Sequence, residues 1–163
     1  NIKNRLIFFE QKMFYYKFNL CSKSINWIGT KACRMKDLIS PQWLRNIKDK
    51  KYPLWRLDVF FSKNKYNSIN FIKDGGWHFS YLKDPKGIEK KLKSYLHHLE
   101  YEENPIGIDK IEEMIKLKKS VYNLKADMRS SKFNKGQHLT KIEFAELPDY
   151  IQNNKEKYKS WLE

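Results

Sequence analysis

The sequence predicts a mixed α/β fold with the helices mostly in its second half, and three observations carry that prediction. Short runs dense in aromatic and β-branched residues occupy the first part of the chain. Two amphipathic patterns at helical spacing follow Asp84 and Asp109. No internal repeat or low-complexity linker interrupts the 163 residues, which therefore read as one domain, 1–163.

Taken in order, Leu6-Ile7-Phe8-Phe9 reads as a strand. Met13 to Leu20 reads as a second one, broken by polar residues only at Lys17 and Asn19 and so covered on both faces. Trp27-Ile28-Gly29-Thr30 is a third extended piece. Ser40-Pro41 starts a helix, because serine caps and proline suits a first turn whose N–H groups have no intrahelical partner. Asn70-Phe71-Ile72 leads into Lys73-Asp74-Gly75-Gly76, a turn that needs glycine for its backbone angles, and Trp77 to Leu82 follows as a strand. Asp84-Pro85 caps a helix whose apolar face is Ile88, Leu92, Tyr95, Leu96 and Leu99. Asp109 caps the next helix, with Ile111, Met114 and Ile115 on its apolar side. Residues from Lys125 to Gln137 are polar and irregular, Leu139 to Phe144 is a weak strand, and Leu147-Pro148 opens a terminal helix.

Composition excludes several classes. With 40% apolar and 15% aromatic residues the chain can build a core, so it is not a disordered basic tail. No run in this stretch is apolar enough for a membrane span, and its first residues do not have a signal-peptide pattern. The net charge is +14, with the excess of lysine and arginine concentrated in the first hundred residues. That surface suits an anion such as a diphosphate. A basic nucleic-acid-binding module is the alternative, but only five of the 33 basic residues are arginine, the residue that bidentate phosphate and base recognition favours. No nucleic-acid partner is expected. Cys21 and Cys33 form no C-x-x-C and read as reduced, buried thiols of a protein in the cytoplasm, with membrane-peripheral attachment left open.

Phosphate-binding glycine loops, H-E-x-x-H and G-x-S-x-G are absent from the sequence. Asp74, Glu89 and Lys91 have the order of a nuclease D…E-x-K. Glu89 and Lys91 fall on a helix, however, roughly 200° apart around its axis, and cannot reach one metal together. The informative segment is Asp74-Gly75-Gly76-Trp77-His78. Glycines admit close backbone approach, an indole offers a flat face for a sugar or base, and an imidazole can ligate a metal or donate to a phosphate. A hairpin turn with a packed tryptophan and a satisfied histidine fits the same residues. His97-His98, late in the amphipathic pattern, cannot both point inward.

Several segments together resemble glycosyltransferase family 17, the β-1,4-mannosyl-glycoprotein 4-β-N-acetylglucosaminyltransferase family, in its shorter bacterial or viral form. Phe14-Tyr15-Tyr16-Lys17-Phe18-Asn19 is similar to the family's aromatic strand ending in Asn. Trp27-Ile28-Gly29-Thr30 resembles its W-x-G-T, and Ser40-Pro41-Gln42-Trp43-Leu44-Arg45 its S-P-Q-x-L-R. Gly76-Trp77-His78-Phe79-Ser80 resembles G-W-H-x-S, and Leu147-Pro148-x-Tyr150 the closing L-P-x-Y. The order and spacing of these segments span close to the whole chain.

The resemblance implies a GT-A-like nucleotide-sugar transferase fold. It also implies transfer of N-acetylglucosamine from UDP-GlcNAc to a glycan acceptor with inversion, aided by a divalent metal, manganese in this kind of enzyme. The partners are then the sugar-nucleotide donor and the glycan. The implied site residues are His78 toward the metal, with Trp77, Gly76, Arg45, Tyr16 and Asn19 on the substrates. The base is open between Asp109, which matches the family pattern, Asp74, adjacent to the motif but outside that pattern, and Asp58, which beside Arg56 also reads as an ion-pair partner. The family's acidic D-x-D-E-I-P segment has no counterpart here, since Glu10 is the only acid before Asp37. The expectation is therefore a C-terminal part of the transferase domain whose main metal ligands lie upstream of Asn1. A noncatalytic carbohydrate-binding remnant is the remaining alternative.

Overall fold

The computed structural model describes residues 6–94, 98–103, 105–122 and 136–163. The architecture is mixed α/β, as predicted. Strands β1 (Leu6–Tyr15), β2 (Leu20–Cys33), β3 (Ile69–Ile72), β4 (Trp77–Ser80) and β5 (Thr140–Lys141) form one sheet. Its order is β3-β1-β2-β5, with β4 also pairing β1. β1 and β3 run parallel, Leu6 opposite Ile69 and Phe9 opposite Ile72, whereas β2 and β5 run antiparallel, Leu20 opposite Lys141. The helices are α1 (Pro41–Asn46), α2 (Pro85–Ser94), α3 (His98–Glu103), α4 (Gly107–Lys116), α5 (Asp149–Gln152) and α6 (Lys155–Tyr158). None of the described helices is long and apolar enough to cross a membrane.

The chain divides into two compact units. One holds the chain up to Gln11 with Asn26–His78, the other Lys12–Ile25 with Phe79–Glu163. Both β1 and β2 contribute to each. In the first unit, Leu6 and Phe8 project from alternate positions of β1 onto Trp43, Ile47 and Ile69. In the second, Phe14 and Cys21 pack with Ile142, Leu147 and Ile151. Its helices bury Ile88, Leu92, Tyr101 and Ile111 completely, and α2 packs on both α3 and α4.

Local signals fixed two helix starts. The Ser40 hydroxyl accepts the Trp43 N–H at 3.0 Å with Pro41 at the first position, and the Asp84 carboxylate accepts the Gly87 N–H at 2.8 Å. Elsewhere the structure differs from the sequence reading. Met13–Leu20 is not one strand. β1 ends at Tyr15, and the chain turns through Tyr16, whose φ of 63° is left-handed. Such a residue costs about 1–3 kcal/mol, offset here by full burial and by its hydroxyl donating to the Lys119 carbonyl at 2.8 Å. Asp109 does not cap α4. Ile106 takes that position, and Asp109 sits in the first turn, where its charge complements the helix dipole.

Leu99 is not on a buried face. It lies 64% exposed on α3 while Tyr101 occupies the core, and Tyr95, Leu96 and His97 lie outside the described residues. The terminal helix is instead two short helices flanked by 3-10 turns. Polar side chains there compete for backbone carbonyls: the Gln152 amide donates to Ala145 at 3.1 Å and Leu147 at 2.6 Å, and the Asn154 amide donates to Tyr150 at 2.7 Å.

Of the two glycines in the turn before β4, Gly76 has φ 134°, outside what a side chain tolerates, whereas Gly75 is needed for space. Its N–H donates to the Glu10 carbonyl at 2.8 Å, and a methyl group at this position would meet Phe9 Cβ at 2.9 Å and the Ile72 carbonyl at 3.1 Å. Gly75→Ala is therefore expected to cost about 1–3 kcal/mol, read as a lower urea midpoint at unchanged slope. An unchanged midpoint would show that β1 yields freely at Phe9.

The two thiols are free but not equivalent. Cys21 is buried and its thiol is pushed up, first by burial, whereas Cys33 is only partly covered. Iodoacetamide on the native protein is expected to label Cys33 well before Cys21, with both labelled in urea. Equal native labelling in peptide mass spectra contradicts this packing.

Candidate functional site

The first unit contains a cleft of about 540 Å³ with two walls. Trp27, Ile28, Gly29 and Lys31 of β2 form one wall, and Pro41, Leu44 and Arg45 of α1 form the other. These are the W-x-G-T and S-P-Q-x-L-R segments, brought together by the fold.

Trp27 and Gly29 are two residues apart on one face of β2. The indole folds back over the glycine: a methyl group there would overlap Trp27 Nε1 and lie 2.8 Å from Cδ1. The ring of His78 stacks on the same indole, centroids 5.0 Å apart and planes inclined by 29°. Glycine below and imidazole beside thus hold Trp27 in place.

The opposite wall is fixed by Lys31. Its Nζ donates to the Arg45 carbonyl at 3.0 Å and to the Ile47 carbonyl at 2.5 Å, and lies 4.8 Å from the centre of the Phe8 ring. Burial lowers the pKa of this ammonium. A lysine so engaged closes the C-terminal end of α1 and is not available to a ligand. The Arg45 guanidinium is exposed and has no ion pair or hydrogen bond among the described residues.

The other expected site residues lie as follows. Trp77 and His78 are consecutive on β4 and so point to opposite faces of the strand. The indole that accompanies His78 is that of Trp27, while Trp77 is 41% exposed. Gly76 sits beside Gln11, and Asp74 is exposed at the turn with φ 48°. Tyr16, Asn19 and Asp109 belong to the second unit.

The Tyr16 phenol is pushed far above its usual range, first by burial. Asn19 is buried and serves the backbone of Glu163, its Oδ1 accepting the N–H at 2.8 Å and its Nδ2 donating to the carbonyl at 3.3 Å. Tyr16 also borders a smaller cavity of about 370 Å³ with Asp84, Glu112 and Trp161, whose walls are mostly apolar. Trp27, Gly29 and Lys31 are not among the site residues that the sequence implies. The W-x-G spacing on a strand was the signal for the first two.

A resident manganese ion does not fit the cleft. Rings, aliphatic groups and two cations line it, whereas such an ion wants oxygen ligands. Among the described residues no group of three or more His, Cys, Asp or Glu side chains is placed to hold a metal.

Two variants test the platform. In Gly29→Ala the indole has to leave its position over β2, and in Trp27→Ala it is gone. Both are expected to remove a ring-current shift from the His78 imidazole, one of four histidines to be resolved by proton NMR. An imidazole spectrum identical in all three proteins contradicts the stack. Lys31→Met is expected to lower stability by about 1 kcal/mol in urea unfolding, a partly exposed charged hydrogen bond being worth less than a buried one.

Comparison of the chain with protein-family models, with curated proteins and with solved structures finds no match to any of them.

Proposed function

We propose that the cleft between β2 and α1 binds a nucleoside diphosphate sugar, and that the protein is a hexosyltransferase of the N-acetylglucosaminyltransferase kind acting on a glycan. The observation that carries this reading is the placement of a guanidinium unpaired among the described residues, Arg45, in the same cleft as an immobilised indole, Trp27. A fixed aromatic face suits a uracil or pyranose ring, and a guanidinium suits a diphosphate through two parallel hydrogen bonds. The two segments that build the cleft are also two that carry the resemblance to glycosyltransferase family 17. In this reading the fold is of GT-A type, UDP-GlcNAc is the donor, and two free thiols accord with a protein working in the cytoplasm.

The chemistry is a single displacement. An acceptor hydroxyl oxygen forms the new bond to the anomeric carbon from the face opposite the diphosphate. The old carbon–oxygen bond breaks, and UDP leaves with its electron pair. The hydroxyl proton passes to a carboxylate, and the configuration inverts. Arg45 meets the charge that grows on the departing diphosphate. Trp27 holds the ring, with His78 positioning it. Asp74, exposed in the same unit as the cleft, is the candidate base, while Asp109 stands on α4 in the second unit.

Titration calorimetry with UDP-GlcNAc, UDP and free N-acetylglucosamine tests the binding step. UDP is expected to bind in the presence of EDTA as well as in manganese, since the described lining of the cleft is made of rings, aliphatic groups and two cations. Arg45→Gln is expected to weaken UDP about tenfold, the equivalent of about 1.4 kcal/mol, and Trp27→Ala to weaken UDP-GlcNAc. UDP release in the presence of a glycan acceptor, lost in His78→Ala, tests turnover. If UDP binds the Arg45→Gln variant as tightly as the parent, or does not bind the parent at all, the reading fails.

A further inference from the structure

Residues 48–64 of the first unit form a loop closed at its neck by the Lys48 N–H donating to the Asn64 carbonyl at 2.8 Å. Beside that neck the buried Trp43 indole donates to the Lys63 carbonyl at 3.1 Å, so the base of the loop is anchored in the core. Successive turn hydrogen bonds run along it, from Arg56 to Pro53, Val59 to Arg56, Phe60 to Leu57 and Ser62 to Val59. This is a fixed loop, and its side chains are distributed the wrong way round for water. Leu54, Trp55, Leu57, Phe60 and Phe61 are all exposed, Phe61 by 90%, and only Val59 of the apolar set turns inward.

Three charged side chains at the turn are tied to one another. Asp58 accepts two hydrogen bonds from Arg56 at 2.8 and 2.7 Å and one from Lys65 at 2.7 Å. Both cations also face the Tyr52 ring. These three charges are engaged with one another, and the turn they brace presents five large apolar side chains outward. Around it stand Lys48, Lys50, Lys51 and Lys63, none of which forms an ion pair among the described residues.

We propose that this loop docks the protein on an anionic lipid bilayer, with Trp55, Phe60 and Phe61 entering the interface and the lysines meeting the headgroups. Apolar exposure on this scale marks an interaction surface. Tryptophan and phenylalanine are the residues that settle at the boundary between headgroup and acyl chain, and each lysine near an anionic surface adds attraction. The charge decides the occupant. Residues 48–65 carry six basic and two acidic side chains, so a second copy seated on the same loop would set lysines against lysines. An acidic, deformable, apolar-cored surface complements both features at once. The inference does not rest on the nucleotide-sugar reading, since the loop residues do not line the cleft.

Cosedimentation with vesicles of phosphatidylcholine alone, and of equal parts phosphatidylcholine and phosphatidylserine, tests it. The full chain is expected to bind the phosphatidylserine vesicles, and to bind phosphatidylcholine alone at least about tenfold more weakly. Trp55→Ser combined with Phe61→Ser keeps every charge and is expected to raise the lipid needed for half binding about tenfold or more. Lys50→Gln combined with Lys51→Gln is expected to give a smaller loss and a shallower dependence on salt. These side chains are exposed, and a far-UV spectrum matching the parent checks that each variant is folded. Retained binding by the Trp55→Ser, Phe61→Ser variant would show general adhesion of a basic protein and overturn the proposal. So would failure of the parent to bind phosphatidylserine vesicles. A dimer in sedimentation equilibrium that dissociates in the same variant would assign the loop to a second copy instead.

Discussion

The ammonium group of Lys31 holds the first unit in the form that matters. It stands on β2, reaches the last carbonyls of α1 and rests against the face of Phe8 on β1. Three elements are thereby tied at one point. The distance between the walls of the cleft follows from it, and so does the position of Arg45, whose carbonyl is engaged while its guanidinium has no ion pair or hydrogen bond among the described residues. A helix of only six residues has little stability of its own. Its direction is set by a serine cap at one end and this lysine at the other, with Trp43 buried between them.

The same economy governs the second unit, where polar side chains act as pieces of backbone. Asn19 presents an amide to the N–H and carbonyl of Glu163, as a neighbouring strand would. Tyr16 satisfies the Lys119 carbonyl, and Gln152 takes two carbonyls that a longer helix would have used internally. Such residues look like binding residues in a sequence because they are polar, and aromatic in the case of Tyr16, within apolar surroundings. Their partners lie more than a hundred positions away for Tyr16 and Asn19.

That distance explains how much could be read in advance. The starts of α1 and α2 were legible because Ser40-Pro41 and Asp84-Pro85 act within four residues of themselves, and the mixed sheet was legible from aromatic and β-branched density. The turn at Tyr16 was not, since its left-handed backbone is maintained by contacts remote in sequence. The break-up of the final helix was missed because apolar spacing says nothing of amides competing for carbonyls. At the site, Arg45 and His78 could be named from the segments that hold them. The indole that meets His78 could not, because adjacency in sequence suggested Trp77, whereas a strand sends neighbours to opposite faces and Trp27 arrives from another element. The outward orientation of the aromatic loop left no sequence signal, because Leu54, Trp55, Leu57, Phe60 and Phe61 are residue types that ordinarily fill a core.

The packing of Trp27 over Gly29 also constrains how this chain can change over time. With the indole present, any β-carbon at position 29 collides with it, and loss of the indole removes the three nearest of those obstacles. The two positions are coupled in a fixed order. A lineage can discard the tryptophan first and the glycine afterwards, but the reverse path passes through a damaged intermediate. The W-x-G pair therefore behaves as a single heritable unit.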